Sequence, residues 1–265
     1  MDNSIVITDM NSTALVQLLP SSNDDTKLNE SVEVLVNGTT KLTLSLLLKE
    51  EELAPLFSGA AWAGTVVWDA AIYLARYFLH HYGAILRDKL RSIRVLELGA
   101  GIGVPGMAAR IAGAESVILT EQEDLVDLMH RNLKGNANAL GLDAANDKKE
   151  QAIVGRVLSW GKESIHNYLM TYQDEQIDFV LSCDCIFVPL YGDSWKALAI
   201  TMQAICETNP QCCVFLSVER RKEDGVDSFL EYIASRTILI SKLLEKSIAS
   251  AENLLEIYQL NLQET

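Results

Sequence analysis

Residues 93–110 read IRVLELGAGIGVPGMAAR: an apolar strand from Ile93 to Leu98, a glycine-rich turn, then a helix of small residues. Glycines at 99, 101 and 103 let the backbone turn tightly and approach a ligand where a side chain would intrude. The helix that follows offers unpaired N–H groups in its first turn. This strand–turn–helix belongs to a nucleotide site of the doubly wound α/β kind.

Gly101-x-Gly103-x-x-Gly106 also fits the dinucleotide fingerprint, which alone is weak evidence. Charge separates the candidates. NAD and FAD bring an anionic pyrophosphate to this turn, whereas S-adenosyl-L-methionine brings an ammonium and a sulfonium. Two unit charges 4 Å apart interact by about 1 kcal/mol in water and about 4 kcal/mol at an effective dielectric of 20. Glu97 at the mouth of the turn therefore favours S-adenosylmethionine, with an NAD-dependent reductase as rival and a solvent-facing strand end as the bland alternative. The next strand, SVILT at 116–120, ends at Glu121, placed to accept both ribose hydroxyls of either cofactor. Glu123 and Asp124 open the following helix, where the dipole favours acids.

Outward from this unit, apolar runs at 93–98, 116–120, 152–158, 177–183 and 212–218 alternate with helical patterns near 104–112, 124–139, 191–207 and 225–235. That alternation predicts a parallel sheet with crossover helices. Segments 236–244 and 254–262, joined by SIASAEN, predict an antiparallel pair at one edge. Upstream, GTVVWDAAIYLARYFL (64–79) has helical spacing, and SVEVLVNGTTKLTLSLLL (31–48) alternates about Asn37-Gly38, a strong hairpin signal. The expected fold is α/β, Rossmann-like and doubly wound: a mostly parallel seven-stranded sheet, an antiparallel C-terminal pair and an N-terminal β-hairpin extension. Residues 1–30 read as a flexible lead-in, and 31–265 as one domain, with the extension at 31–63 and the cofactor-binding core at 64–265.

Forty-nine per cent of residues are apolar, enough for a sizeable core, yet no run reaches the roughly 18 uncharged apolar residues of a membrane span. MDNSIVITDM has acids where a signal peptide carries lysines, so the expected setting is cytoplasmic, away from membranes. Cysteines 183, 185, 206, 212 and 213 have no metal-ligand spacing and read as free thiols of a reducing compartment, with no metal expected. A net charge of −14 argues against nucleic acid as partner and suits a basic protein face. His80, His81, His130 and His166 fall away from the strand tips, and none is read as catalytic.

Together these segments resemble the seven-β-strand S-adenosylmethionine-dependent methyltransferases. More narrowly, they resemble the family-16 protein-lysine methyltransferases, which modify chaperones, AAA ATPases and translation elongation factors. The likeness runs from about Gly64 to Leu262, through VLELGAGIGVPG, VVWDAA, VLSWG, SCDCIF and VERR in the family's order. It implies that Glu97 and Gly99 meet the methionine portion of the cofactor, with Gly101, Gly103 and Cys183 in the same binding set. Glu121 would hold the ribose, Trp160 would flank adenine, and Trp68 would close over the cofactor. Asp184 and Phe187 would form the catalytic mouth where a protein lysine enters. The chain departs from the family at Phe187, where the motif has tyrosine, so that hydroxyl is missing. A carboxylate beside the target amine raises its pKa, so Asp184 reads as an orienting group rather than a strong base, with Phe187 facing the methylated ammonium. Glu219-Arg220 reads either as the family's Glu and Arg or as a surface pair of little worth. The alternatives are a methyltransferase for a small molecule or another residue type, and a non-catalytic adenosine-binding scaffold.

Overall fold

The computed structural model describes residues 15–19, 31–46, 60–142, 152–173, 175–249 and 253–263. Its N-terminal part is a three-stranded antiparallel sheet of β1 (Val16–Leu18), β2 (Ser31–Val36) and β3 (Thr40–Ser45). The β2–β3 hairpin turns at Asn37 (φ 52°) and Gly38 (φ 68°), the positive φ values of a primed turn, with Thr39 as a third loop residue before Thr40 pairs with Val36. β1 falls inside the segment expected as a lead-in: Val16 pairs with Val36 and is wholly buried. The rest of 1–30, and the end of the expected hairpin at 47–48, lie outside the described residues.

A 3-10 turn (Ala60–Thr65) leads into α1 (Asp69–Leu86), later than the helix expected at 64–79. There follow β4 (Arg94–Leu98), α2 (Val104–Ala112), β5 (Ser116–Glu121), α3 (Glu123–Gly135), α4 (Ala137–Leu140) and β6 (Ile153–Val157). Next come α5 (Lys162–Thr171), β7 (Phe179–Cys183), α6 (Val188–Tyr191), α7 (Ser194–Thr208) and β8 (Cys213–Arg220). The described chain closes with α8 (Val226–Arg236), β9 (Leu239–Ile248) and β10 (Leu254–Leu262).

The large sheet has the order β6-β5-β4-β7-β8-β10-β9. β6 through β8 run parallel; β10 inserts antiparallel between β8 and β9, with a register shift at Ile257/Tyr258. Strand alternation feeds two cores. Val95 joins the apolar cluster under α1, α2 and α3, while Leu96 and Leu98 join the opposite cluster under α5, α7 and α8. β4 sits where the order reverses, so the crevice at the carboxyl ends of β4, β5 and β7 is the topological switch point.

Two expected helices are broken, each for a local reason. The run 124–139 breaks at Asn136, whose side-chain amide donates to Asn132 O (2.8 Å) and Thr43 O (2.9 Å) and accepts from Thr43 N–H (2.8 Å). Asn132 makes the same reciprocal pair with Ser45, so two asparagines of one helix face close the free edge of β3. The run 191–207 begins earlier, as α6, and breaks at Gly192 (φ 55°) before α7. α5 was not expected from sequence, although Glu163 in its first turn and buried Ile165 and Tyr168 mark one apolar face.

Candidate functional site

The crevice holds a cavity of about 390 Å³ between the 3-10 turn, the glycine loop, the β5 and β7 ends and the start of α7, within the range of small-molecule sites. Of the loop residues that line it, Gly99 and Gly101 have no room for a side chain, whereas Ala100 and Ile102 carry theirs. A Cβ on Gly99 would lie 2.5 Å from Cys185 Sγ and 3.0 Å from Trp160, and one on Gly101 would lie 2.8 Å from Gly64 O. At the end of β5, Glu121 accepts N–H bonds from Gly101 (2.9 Å) and Gln122 (2.8 Å), one on each oxygen. Each oxygen keeps a second lone pair for a ligand hydroxyl. Burial raises its pKa, and the two N–H groups pull it back.

Of the residues expected at the site, Trp68, Gly99, Gly101, Glu121, Trp160, Cys183 and Asp184 line this cavity. The other three stand elsewhere. Glu97 was expected at the mouth of the turn; it is fully buried on the helix-facing side of β4, with Val95, and lies outside the lining. Its Oε2 accepts from Gly106 N–H (2.8 Å), and its Oε1 has no partner among the described residues. Burial pushes its carboxyl up to about 8, with the Gly106 N–H opposing the rise. Gly103 (φ 79°) caps α2 behind the loop. Phe187 lies beside the mouth and turns its ring to Arg221, 5.2 Å away, rather than into the cavity.

Asp184 is the focus of the mouth. It follows β7 with φ 52°, strained for a residue with a side chain, and its N–H donates to Ser217 O (2.8 Å). Arg221, just past β8, grips its carboxylate at both oxygens (2.6 and 3.1 Å), and Glu219 N–H donates to Oδ1 (3.2 Å). Burial raises the Asp184 pKa and the guanidinium opposes it. The same guanidinium lies 5.5 Å from the Trp68 ring and also pairs with Glu219. Glu219 and Arg220 do not form the surface pair that was one reading of this segment. Alternate residues of a strand face opposite ways, so Arg220 turns to Asp224 and Glu256 while Arg221 joins Glu219 at Asp184.

Two residues of the lining, Tyr191 and Cys185, are not among those expected from sequence. Tyr191 stands one turn after Phe187, its N–H donating to Phe187 O (2.8 Å), so i,i+4 spacing from the motif position was the available signal. Burial raises its phenol pKa, with Cys185, Asp184 and Glu121 adding to the effect. Burial likewise pushes the Cys185 thiol up to about 12, which makes it a wall of the cavity rather than a nucleophile. Among the described residues, no cluster of three or more His, Cys, Asp or Glu forms a metal-binding group, and no helix is long and apolar enough to cross a membrane.

The donor set fits S-adenosylmethionine: a loop whose Gly99 and Gly101 admit no Cβ, a carboxylate with spare acceptors one βα unit later, an indole at the β6 end and an acid at the mouth. Comparison with known proteins agrees. A profile of the family described as lysine methyltransferase matches residues 48–236. Secreted RxLR effector protein 48 of Plasmopara viticola is 50% identical over 161 residues, covering 61% of this chain and 81% of that one. EEF1A lysine methyltransferase 3 of Xenopus tropicalis is 28% identical over 181 residues, 66% of this chain and 69% of that one. An S-adenosylmethionine-dependent methyltransferase structure from Agrobacterium tumefaciens superposes with a TM-score of 0.54 at 13% identity, over 91% of this chain and 72% of that one, a likeness of fold. With most of its length inside the family profile, the chain belongs to the lysine methyltransferase family and is an S-adenosylmethionine-dependent protein-lysine N-methyltransferase.

Proposed function

We propose that this enzyme methylates a lysine of a cytoplasmic protein of the chaperone, AAA ATPase or elongation factor class, with Asp184 orienting the incoming amine. The juxtaposition that carries the proposal is Asp184, held by Arg221 beside Trp68, at the rim of the cavity that Glu121 and the glycine loop floor. When bound, S-adenosylmethionine supplies a methyl carbon on a sulfonium, open to displacement by a neutral amine. Gly99 and Gly101 leave room for its amino-acid portion, Glu121 takes the ribose hydroxyls, Trp160 flanks the adenine, and Trp68 covers the N-terminal side. Cys183 and Cys185 form an apolar floor. In this arrangement Phe187 acts through Arg221, whose guanidinium plane it supports, rather than on the substrate directly. Holding amine, methyl and sulfur in line supplies much of the acceleration.

The test is transfer of labelled methyl from S-adenosylmethionine into size-separated lysate proteins, with Asp184→Ala in parallel. One or two labelled bands, lost in the variant and yielding methyl-lysine on hydrolysis, are expected. Methyl-arginine in the band would move the assignment to another residue type. Absence of label, despite binding of S-adenosylhomocysteine, would point to a small-molecule acceptor or a scaffold. The missing hydroxyl at Phe187 is the observation that keeps a non-lysine acceptor in view. Fractionation of the source cells and their medium tests the cytoplasmic setting, since the Plasmopara relative is named as secreted.

A further inference from the structure

A carboxylate at the mouth of a lysine methyltransferase has a cost. An unperturbed lysine has a pKa of about 10.4, and only its neutral amine attacks. An ionised acid about 4 Å away would raise that value further, by roughly one to three units depending on how much water reaches the pair. Yet Asp184 lines the cavity, and its side chain is 4% exposed.

Arg221 resolves the conflict. Its guanidinium reaches Asp184 Oδ2 at 2.6 Å and Oδ1 at 3.1 Å, the two-pronged grip that lysine cannot make. The plane is flanked by the Trp68 ring at 5.5 Å and the Phe187 ring at 5.2 Å, and the arginine side chain is 19% exposed. Glu219 lies outside the cavity lining; it holds the same guanidinium and is itself held by Asn253 Nδ2 (2.8 Å). The other titratable groups facing Asp184 are Cys183 and Cys185 on its own segment and Tyr191 on α6, with Glu121 across the cavity; the thiols and the phenol are neutral near pH 7, and burial raises their pKa values further. Oδ1 is fully used by Arg221 and Glu219 N–H, whereas Oδ2 keeps one lone pair.

We propose that Arg221 is a positioning residue that sets the protonation state of the substrate lysine: it offsets the field of Asp184, the carboxylate nearer the amine, so the amine gives its proton to water as it enters while the spare lone pair of Oδ2 still accepts one amine N–H. The division of labour separates charge from geometry. Asp184 aims the nitrogen and Arg221 keeps it neutral. This inference rests on the lysine-methylation assignment above.

The test is the pH dependence of kcat, whose acid limb reports ionisations in the enzyme–substrate complex. The acceptor is the lysate protein that takes up label from the wild-type enzyme. Arg221→Gln is expected to move the acid limb upward by about one to two pH units, a 10- to 100-fold loss at pH 7.5 that is recovered at high pH. Arg221→Lys, which keeps the charge and loses the fork, should leave the limb in place while lowering the maximum. Binding of S-adenosylhomocysteine within twofold of wild type certifies the fold. If Arg221→Gln does not fold, Asp184→Asn gives the converse reading: with the guanidinium then balanced by Glu219 alone and no carboxylate beside the amine, the limb should move downward. A limb unmoved in the folded variants would overturn the inference and leave Arg221 as a brace. Wild-type enzyme without transfer at any pH would overturn the lysine assignment itself.

Discussion

Gly101→Ala puts the demand for glycine at the cofactor turn to a quantitative test. Gly101 has φ 53°, and a Cβ there would sit 2.8 Å from the carbonyl oxygen and 3.2 Å from the Cα of Gly64. Both atoms are backbone, so no side chain can swing aside. The left-handed conformation costs a residue with Cβ roughly 1–2 kcal/mol. Forcing an extra carbon into packed surroundings adds about 1–3 kcal/mol. The expected loss is therefore about 2–5 kcal/mol of stability, read as a lower urea midpoint at constant slope. Displacing the loop also takes Gly101 N–H off Glu121, where it now lies 2.9 Å from Oε2. That loosens the carboxylate, so affinity for S-adenosylhomocysteine by calorimetry should fall about 10- to 100-fold, equivalent to about 1.4–2.8 kcal/mol. Gly135→Ala is the internal control: its Cβ would meet nothing within 4 Å and φ is not positive, so a gain of a few tenths of a kcal/mol is expected. Stability and affinity of Gly101→Ala both within about 0.5 kcal/mol of wild type would refute the steric reasoning.

Glu97 predicts an unusual pH dependence of stability. Burial raises its folded pKa to about 8 from an ordinary 4.5, so between those values the folded protein holds a proton that the unfolded chain releases. Stability then falls as pH rises across that window, with a slope of up to about 1.4 kcal/mol per pH unit, and Glu97→Gln should flatten the fall in a series of urea melts. A wild-type curve that rises from pH 5 to 8, with no difference from Glu97→Gln, would mean the carboxyl is charged in the fold. Asn136→Ala should cost about 1–3 kcal/mol, because it leaves Thr43 N–H and C=O without their 2.8 and 2.9 Å partners at the edge of β3. Faster hydrogen exchange at the Thr43 amide, with the β4 amides unchanged, is the signature to look for.

What the sequence disclosed about this site and what it hid divide along one physical line. The glycine turn, Glu121 and Asp184 were legible because each lies at the end of a strand, where the chain leaves the sheet and must face the crevice. Glu97 sits one residue before such an end, and there the two-residue alternation of β4 decides: it shares a face with Val95 and is sealed under α2. A one-residue distinction of that kind also separates Arg220 from Arg221. The sequence shows two adjacent arginines after a strand; only the register of β8 beside β7, with Ser217 opposite Cys183, shows which one reaches Asp184 across 37 residues of chain. Phe187 carries the same lesson in another form. Its motif position marked it for the substrate, but with Arg221 beside it the ring has a cation of its own, and the tyrosine that reaches the cavity is Tyr191, a helical turn later. Local pattern therefore locates the strand ends that can build a site, while side-chain pairing across strands determines which charges remain free to act on a substrate. At this mouth the carboxylate is already paired, so in the role proposed for it the pair, and not the acid alone, acts on the lysine.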